Sequence, residues 1–300
     1  MFRKITMLSI FLSFICFQET IASAQNKLKE QLSIELMTKS GLDQQINNRP
    51  DYLSADITNN FKRVLLINSI ETNKITKELS SMVSKSFRPE IIKSIVIAHI
   101  ETDLKIEDIK AVLSWLNSPL GKKITRMEEE ASTPEAFREK LTLVPLLKKR
   151  ADYKERIRLI QDLDQYMKVT ESDLKNSQLK RNVTVEAMKS AFPTIHLPVG
   201  TLLQEDFKTY STAMRRSIAY EISMSLLYCY RQLDINELEE YINFIKTDYG
   251  IKYHNVINEA LQKAYLFCGK QFGKNFGEML AKESSQQFKK PNIQTYPQRK

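Results

Sequence analysis

The 300-residue chain carries 45 Lys and Arg against 36 Asp and Glu, a net charge of +9, and 42% of its residues are hydrophobic. That balance is ordinary for a chain that buries a core, and it excludes wholesale disorder. Seven Gly and nine Pro exclude collagen, a propeller or a many-turned β fold, and three Cys with three His leave little material for a structural zinc site.

Arg3 and Lys4 precede a 13-residue apolar run from Ile5 to Phe17, and Ala22-Ser23-Ala24 follows. This is the pattern of a secretory leader at residues 1–24, cut after Ala24 to leave Gln25 first. The run is shorter than the roughly 20 residues a membrane span needs. Ser13-Phe14-Ile15 lacks the small residue that lipidation of Cys16 would require. The expected mature chain is periplasmic or secreted and does not span a membrane. It keeps 43 basic and 35 acidic residues, a net +8. Such a charge favours anionic partners, and export removes nucleic acid from among them. The excess is concentrated in Arg138–Arg158, with eight basic and three acidic residues, and in Lys282–Lys300, with five and one. On helices such runs are expected to be solvated faces.

Apolar residues then recur at helical spacing almost throughout. Leu28, Leu32 and Leu36 share a face, and Gly41 reads as its stop. Phe61, Leu65, Leu66 and Ile70 make another. Pro89 fits the first turn of a helix carrying Ile92, Val96 and His99. Ser118-Pro119 and Thr133-Pro134 place a capping hydroxyl before a proline whose missing N–H needs no partner. Thr170-Glu171-Ser172-Asp173 and Asp234-Ile235-Asn236-Glu237 read as capping boxes. Phe192–Leu202, with Pro193, Pro198 and Gly200, reads as irregular. The last dozen residues read as a frayed tail. No hairpin or alternating strand pattern stands out, so the fold class is all-α.

An internal repeat is the most informative feature. At an offset of 129, Gly121 falls on Gly250 and Lys123 on Lys252; Leu104, Ile106 and Glu130 fall on Leu233, Ile235 and Glu259. Those are the five identities over 27 positions. The apolar pattern persists beyond them, with Trp115 on Phe244, Leu116 on Ile245 and Ser118 on Thr247. Each copy is an amphipathic helix, a glycine-containing turn and a second amphipathic helix. The expected architecture is two similar lobes built from helical hairpins, at residues 25–149 and 150–282, followed by a flexible tail at 283–300.

The first copy resembles a known family. Ile106-Glu107-Asp108-Ile109, Trp115-Leu116, Ser118-Pro119-Leu120-Gly121-Lys122-Lys123-Ile124 and Glu128 are similar to the core motif of the bacterial domain of unknown function 2059. The second copy keeps the Gly and Lys of the turn in Thr247-Asp248-Tyr249-Gly250-Ile251-Lys252 but loses Ser-Pro. The resemblance implies an exported helical protein and supplies no activity.

The residues themselves offer little chemistry. His99, His196 and His254 each stand apart from any metal-binding spacing, and nucleophile elbows, phosphate loops and dinucleotide fingerprints are absent. His99 reads as a core histidine with a satisfied hydrogen bond. Glu101 and Asp103 could serve glycan acid–base chemistry, and end-of-helix charge is the plainer account. Lys123 and Lys252 could bind an anion, or lay their stems along the packing with their heads in water. No catalytic, cofactor or metal residue is assigned. The functional expectation is a non-enzymatic protein that binds or scaffolds an envelope partner. The alternatives are a peripheral binder of anionic membrane or wall polymers and, third, a glycan hydrolase.

Two further expectations concern the second copy. Gly269, Gly273 and Gly277 form a smooth stripe for close packing of another helix, in the same chain or in a homodimer. Cys229 and Cys268 are the two cysteines left after cleavage. In an oxidising compartment they are expected to pair, the alternative being two buried free thiols acting as small hydrophobes.

Overall fold

The computed structural model describes residues 23–48, 72–178 and 207–287, and among them no residue is in a strand. The apolar run of the leader, the face from Phe61 to Ile70, the stretch Phe192–Leu202 with His196, and residues 288–300 lie outside the described residues. In chain order the helices are α1 (23–39), α2 (42–48), α3 (Thr72–Ser86), α4 (Pro89–Asp103), α5 (Ile106–Leu116), α6 (Pro119–Ala131), α7 (Pro134–Leu147), α8 (Tyr153–Met167), α9 (169–178), α10 (Phe207–Cys229), α11 (Ile235–Ile245) and α12 (Asp248–Gln287).

The punctuation follows from local chemistry. Gly41, at φ +70°, ends α1. Pro89, Pro119 and Pro134 each open a helix. Ser118 Oγ accepts from Gly121 N at 3.0 Å, and Thr133 Oγ1 from Ala136 N at 3.2 Å. Asp234 and Glu237 form a full capping box. The helix start expected at Thr170–Asp173 falls on the first turn of α9. Lys168 ends α8 in the left-handed region and α9 resumes at once, so Thr170 lies inside its first turn.

Two compact units organise the chain, and neither is a lobe of the expected kind. The first takes its described residues from 23–48, 93–169 and 222–261; the second from 72–92, 170–178, 207–221 and 262–287. Both glycine hairpins therefore fall in the first unit, and the expected boundary between residues 149 and 150 does not divide the units. Nor does the tail begin at 283, because α12 runs to Gln287.

The first unit's core is a set of helical faces. Ile109, Val112, Leu113 and Leu116 line α5; Leu120, Ile124 and Met127 line α6; Leu238, Tyr241, Ile242, Phe244 and Ile245 line α11. Burying each large apolar side chain contributes about 1.5–3 kcal/mol. Helix α11 packs on α8 and α6, and α6 on α5 and α7. In the second unit Leu79, Val83 and Phe87 are buried, as are Cys268, Phe272 and Phe276 on α12. Phe87 meets Phe272 at 6.3 Å between ring centroids. Gly269, Gly273 and Gly277 are all buried on that α12 face, while Lys270 and Lys274 are exposed.

Candidate functional site: the seam between the two hairpins

The repeat motif is where the sequence placed most of its candidate residues, and the helix bounds and turn bonds of the two hairpins correspond. The offset of 129 carries both ends of α5 onto α11 and the start of α6 onto α12. The turn bonds correspond as well. Ser118 N donates to Trp115 O at 2.9 Å, and Thr247 N to Phe244 O at 3.0 Å. Gly121 N donates to Ser118 Oγ at 3.0 Å, and Gly250 N to Thr247 Oγ1 at 3.1 Å. Pro119 occupies the first position of α6, where its counterpart Asp248 opens α12. A Cβ on Gly121 would collide with the Trp115 carbonyl oxygen, and one on Gly250 with the Phe244 carbonyl oxygen. Backbone cannot swing away, so both positions need glycine for the close approach.

The hairpins also contact one another through equivalent residues. Trp115 and its own counterpart Phe244 stack with centroids 3.9 Å apart and planes 10° from parallel. Lys123 Nζ donates to Glu237 Oε1 at 2.6 Å, and Lys252 Nζ to Asp108 Oδ2 at 2.6 Å. Since Asp108 and Glu237 are themselves related by the offset, the two ion pairs are reciprocal. A residue touching its own equivalent, flanked by reciprocal pairs, is the contact pattern of a two-fold interface. Each acid has a second task. Asp108 accepts the Lys105 N–H at 3.1 Å and Glu237 the Asp234 N–H at 2.9 Å, so both cap a helix and hold a lysine. Burial opposes ionisation of Asp108, yet the hydrogen bonds from Lys252 and from the Lys105 backbone hold its carboxyl below the usual value.

This corrects the expectation for the lysines. Each head, though partly exposed, is paired with an acid of the opposite hairpin. Sequence reasoning matched the lysines but missed their partners. The signal was present in the same register, where Asp108 and Glu237 are both acidic.

One polar cluster breaks the correspondence. The Glu128 carboxylate accepts from Tyr230 Oη at 2.6 Å and Tyr241 Oη at 3.1 Å, whereas its counterpart is Ile257. Burial raises the Glu128 pKa despite the two hydroxyl bonds, and both tyrosines are pushed well above their usual value by burial and by the carboxylate. Tyr230 and Tyr241 meet edge-to-face at 5.6 Å.

Cys229 and Cys268 are unbridged, buried thiols. The expected pair is not formed: Cys229 lies in the first unit, and α12 carries Cys268 into the second. Cys229 Sγ faces Met127 O at 3.8 Å. Burial raises both thiols, Cys268 to about 11, which makes them poor nucleophiles.

The remaining candidates are held by neighbours or hidden. His99 Nδ1 lies 2.8 Å from Asp103 Oδ2; the ring keeps 21% exposure, so it is a surface partner rather than a core histidine. His254 Nε2 is buried without a hydrogen-bond partner, and burial lowers its pKa to about 4. Arg156 was not singled out in the sequence, yet it is fully buried. It donates to Tyr230 O at 3.3 Å and to Asp152 Oδ2 at 3.0 Å. Asp152 also takes two bonds from Arg150, and these with Arg156 lower its pKa to about 2. Among the described residues no helix is long and apolar enough to cross a membrane. No family model, curated protein or solved structure matches the chain.

Proposed function

We propose that this is a non-enzymatic helical protein, exported to the periplasm, that scaffolds an envelope partner, and that its two hairpins are copies of one module paired about a pseudo-two-fold axis. The carrying observation is that the motif's polar groups serve one another. Ser118 and Thr247 cap, Lys123 and Lys252 are neutralised across the seam, and the glycines admit backbone. A motif engaged in this way holds a fold together, which supports a structural role for it. The resemblance to the domain of unknown function 2059 rests on Leu104–Glu130 and supports the same exported, helical reading. The leader pattern at residues 1–24 supports export.

The test is fractionation with intact-mass measurement, then crosslinking in the envelope fraction. A mature chain beginning at Gln25 and a reproducible crosslinked partner are expected. Retention in the cytoplasm with residues 1–24 intact would overturn export. Release of sugar fragments from envelope glycans by the purified chain, lost in Asp103→Asn, would overturn the non-enzymatic reading.

A further inference from the structure

Helix α7 is inside out along one side. Its inner face, Ala136 and Val144, packs with Ile160, Met224, Leu227 and Tyr228. Its outer face carries Phe137 at 52% exposure and Leu141, one turn on, at 64%. Pro145, a further turn on, is exposed, and Leu146 beside it is 58% exposed. A solvated helix face is ordinarily polar. Here the apolar stripe is firmly displayed, because Lys140 donates to Ser225 Oγ at 3.0 Å and Tyr228 Oη donates to Glu139, tying the helix to α10.

Basic side chains frame the stripe. Arg138 lies beside it, and Lys148, Lys149, Arg150 and Lys154 cluster at its C-terminal end. Three of the nearby acids are engaged, Glu135 with Arg138, Glu139 with Tyr228 and Arg231, and Asp152 with Arg150 and Arg156, while Glu155 is exposed beside Lys154 and leaves the basic side chains in excess. Exposed Phe and Leu framed by Lys and Arg fit a surface with dense negative charge over an apolar layer. A bilayer leaflet rich in anionic headgroups offers both, with lysine stems reaching past the apolar contact to the phosphates.

The geometry points to α7, with the α7–α8 turn, as a docking face for anionic phospholipid bilayers. This names the partner within the proposed function and rests on the exported reading only for which leaflet is met. Vesicle binding is measured on purified protein, so it can fail while export stands, and export can fail while it succeeds.

The experiment is co-sedimentation of the full mature chain with vesicles of phosphatidylglycerol in phosphatidylcholine, against phosphatidylcholine alone. Binding to the anionic vesicles only, falling steeply with added salt, is expected. Lys149→Gln and Lys154→Gln should each weaken it about fivefold. Leu141→Ser should weaken it about tenfold without changing the melting temperature, and Lys270→Gln, on exposed α12 surface, should leave it unchanged. Equal binding to neutral vesicles, or equal losses from Lys270→Gln and Lys149→Gln, would overturn the proposal. So would a melting temperature lowered by Leu141→Ser, which would mean the face is covered within the chain, or a dimer in solution that Leu141→Ser dissolves.

Discussion

The hairpins Leu104–Glu130 and Leu233–Glu259 keep the same backbone course while exchanging most of their side chains. What they share is cap chemistry, a glycine at the close approach, and an acid–lysine set that reaches across. What they do not share is volume and polarity at the seam: Trp115 stands against Phe244, and half-buried Glu128 has Ile257 as its counterpart. The difference teaches which features two matched hairpins hold in common. Positions fixed by backbone geometry have no substitute and recur. Positions fixed by packing need only fill the space left by the other hairpin, so they can differ.

The stacked pair is the strongest place to break this arrangement. Trp115→Ala should lower unfolding stability by about 3–5 kcal/mol, and Phe244→Ala by a similar amount. Because the rings touch, the double variant should lose less than the sum, by about 0.5–3 kcal/mol of coupling. Urea unfolding of the four proteins measures this, and strict additivity would count against the face-to-face contact.

The glycines come next and test whether the two turns are equivalent. Gly121→Ala and Gly250→Ala each push a methyl against a carbonyl oxygen, which should cost about 1–3 kcal/mol. The two losses should agree closely in thermal melts. A large loss at one and none at the other would mean that only one turn is tight.

Glu128 sharpens the comparison from the other side, since its counterpart in the other hairpin is Ile257. Its folded pKa is raised above the ordinary glutamate value of about 4.5, with burial as the leading cause. The fold therefore favours the protonated acid. That contribution is full below about 4.5 and is lost as pH rises through the folded pKa. Asp152, lowered to about 2 chiefly by Arg150, behaves oppositely: its contribution stands above about 4 and fades as pH falls towards 2. Melting curves across acid pH should show Glu128→Gln removing the loss on the alkaline side of 4.5, with the loss between about 4 and 2 retained.

Much of this was legible in the sequence because it is written in local chemistry. The Ser118-Pro119 cap, the glycine register and the amphipathic periods depend on neighbours a few residues away. The unit boundaries were not legible, because α12 gives no stop signal at the end of the repeat and carries Cys268 into the second unit. Arg156 and Glu128 were hidden for a related reason. Each is an ordinary charged residue on an amphipathic helix until Tyr230, Asp152 and Tyr241 close over it, and no spacing encodes those contacts.

The reciprocal ion pairs carry the smallest energy and the most specific information. The side chains of Lys123 and Glu237 are 31% and 28% exposed, so solvent screens them, and the pair should contribute about 0.2–1 kcal/mol. Lys123→Glu places two acids together and should destabilise by more than the pair's own worth. Glu237→Lys should do likewise, and it also removes the carboxylate that caps Asp234. The double exchange restores the attraction across the seam but not the cap, so it should recover most of the Lys123→Glu loss while keeping a deficit of about 1 kcal/mol. The same exchange at Lys252 and Asp108 should recover to a similar degree, because Asp108 also caps a backbone N–H. Coupling energies from the two cycles that agree, and that shrink together as salt is added, are what a pseudo-two-fold seam requires. Coupling in one cycle and none in the other would leave two hairpins that are alike in shape without being paired as equals.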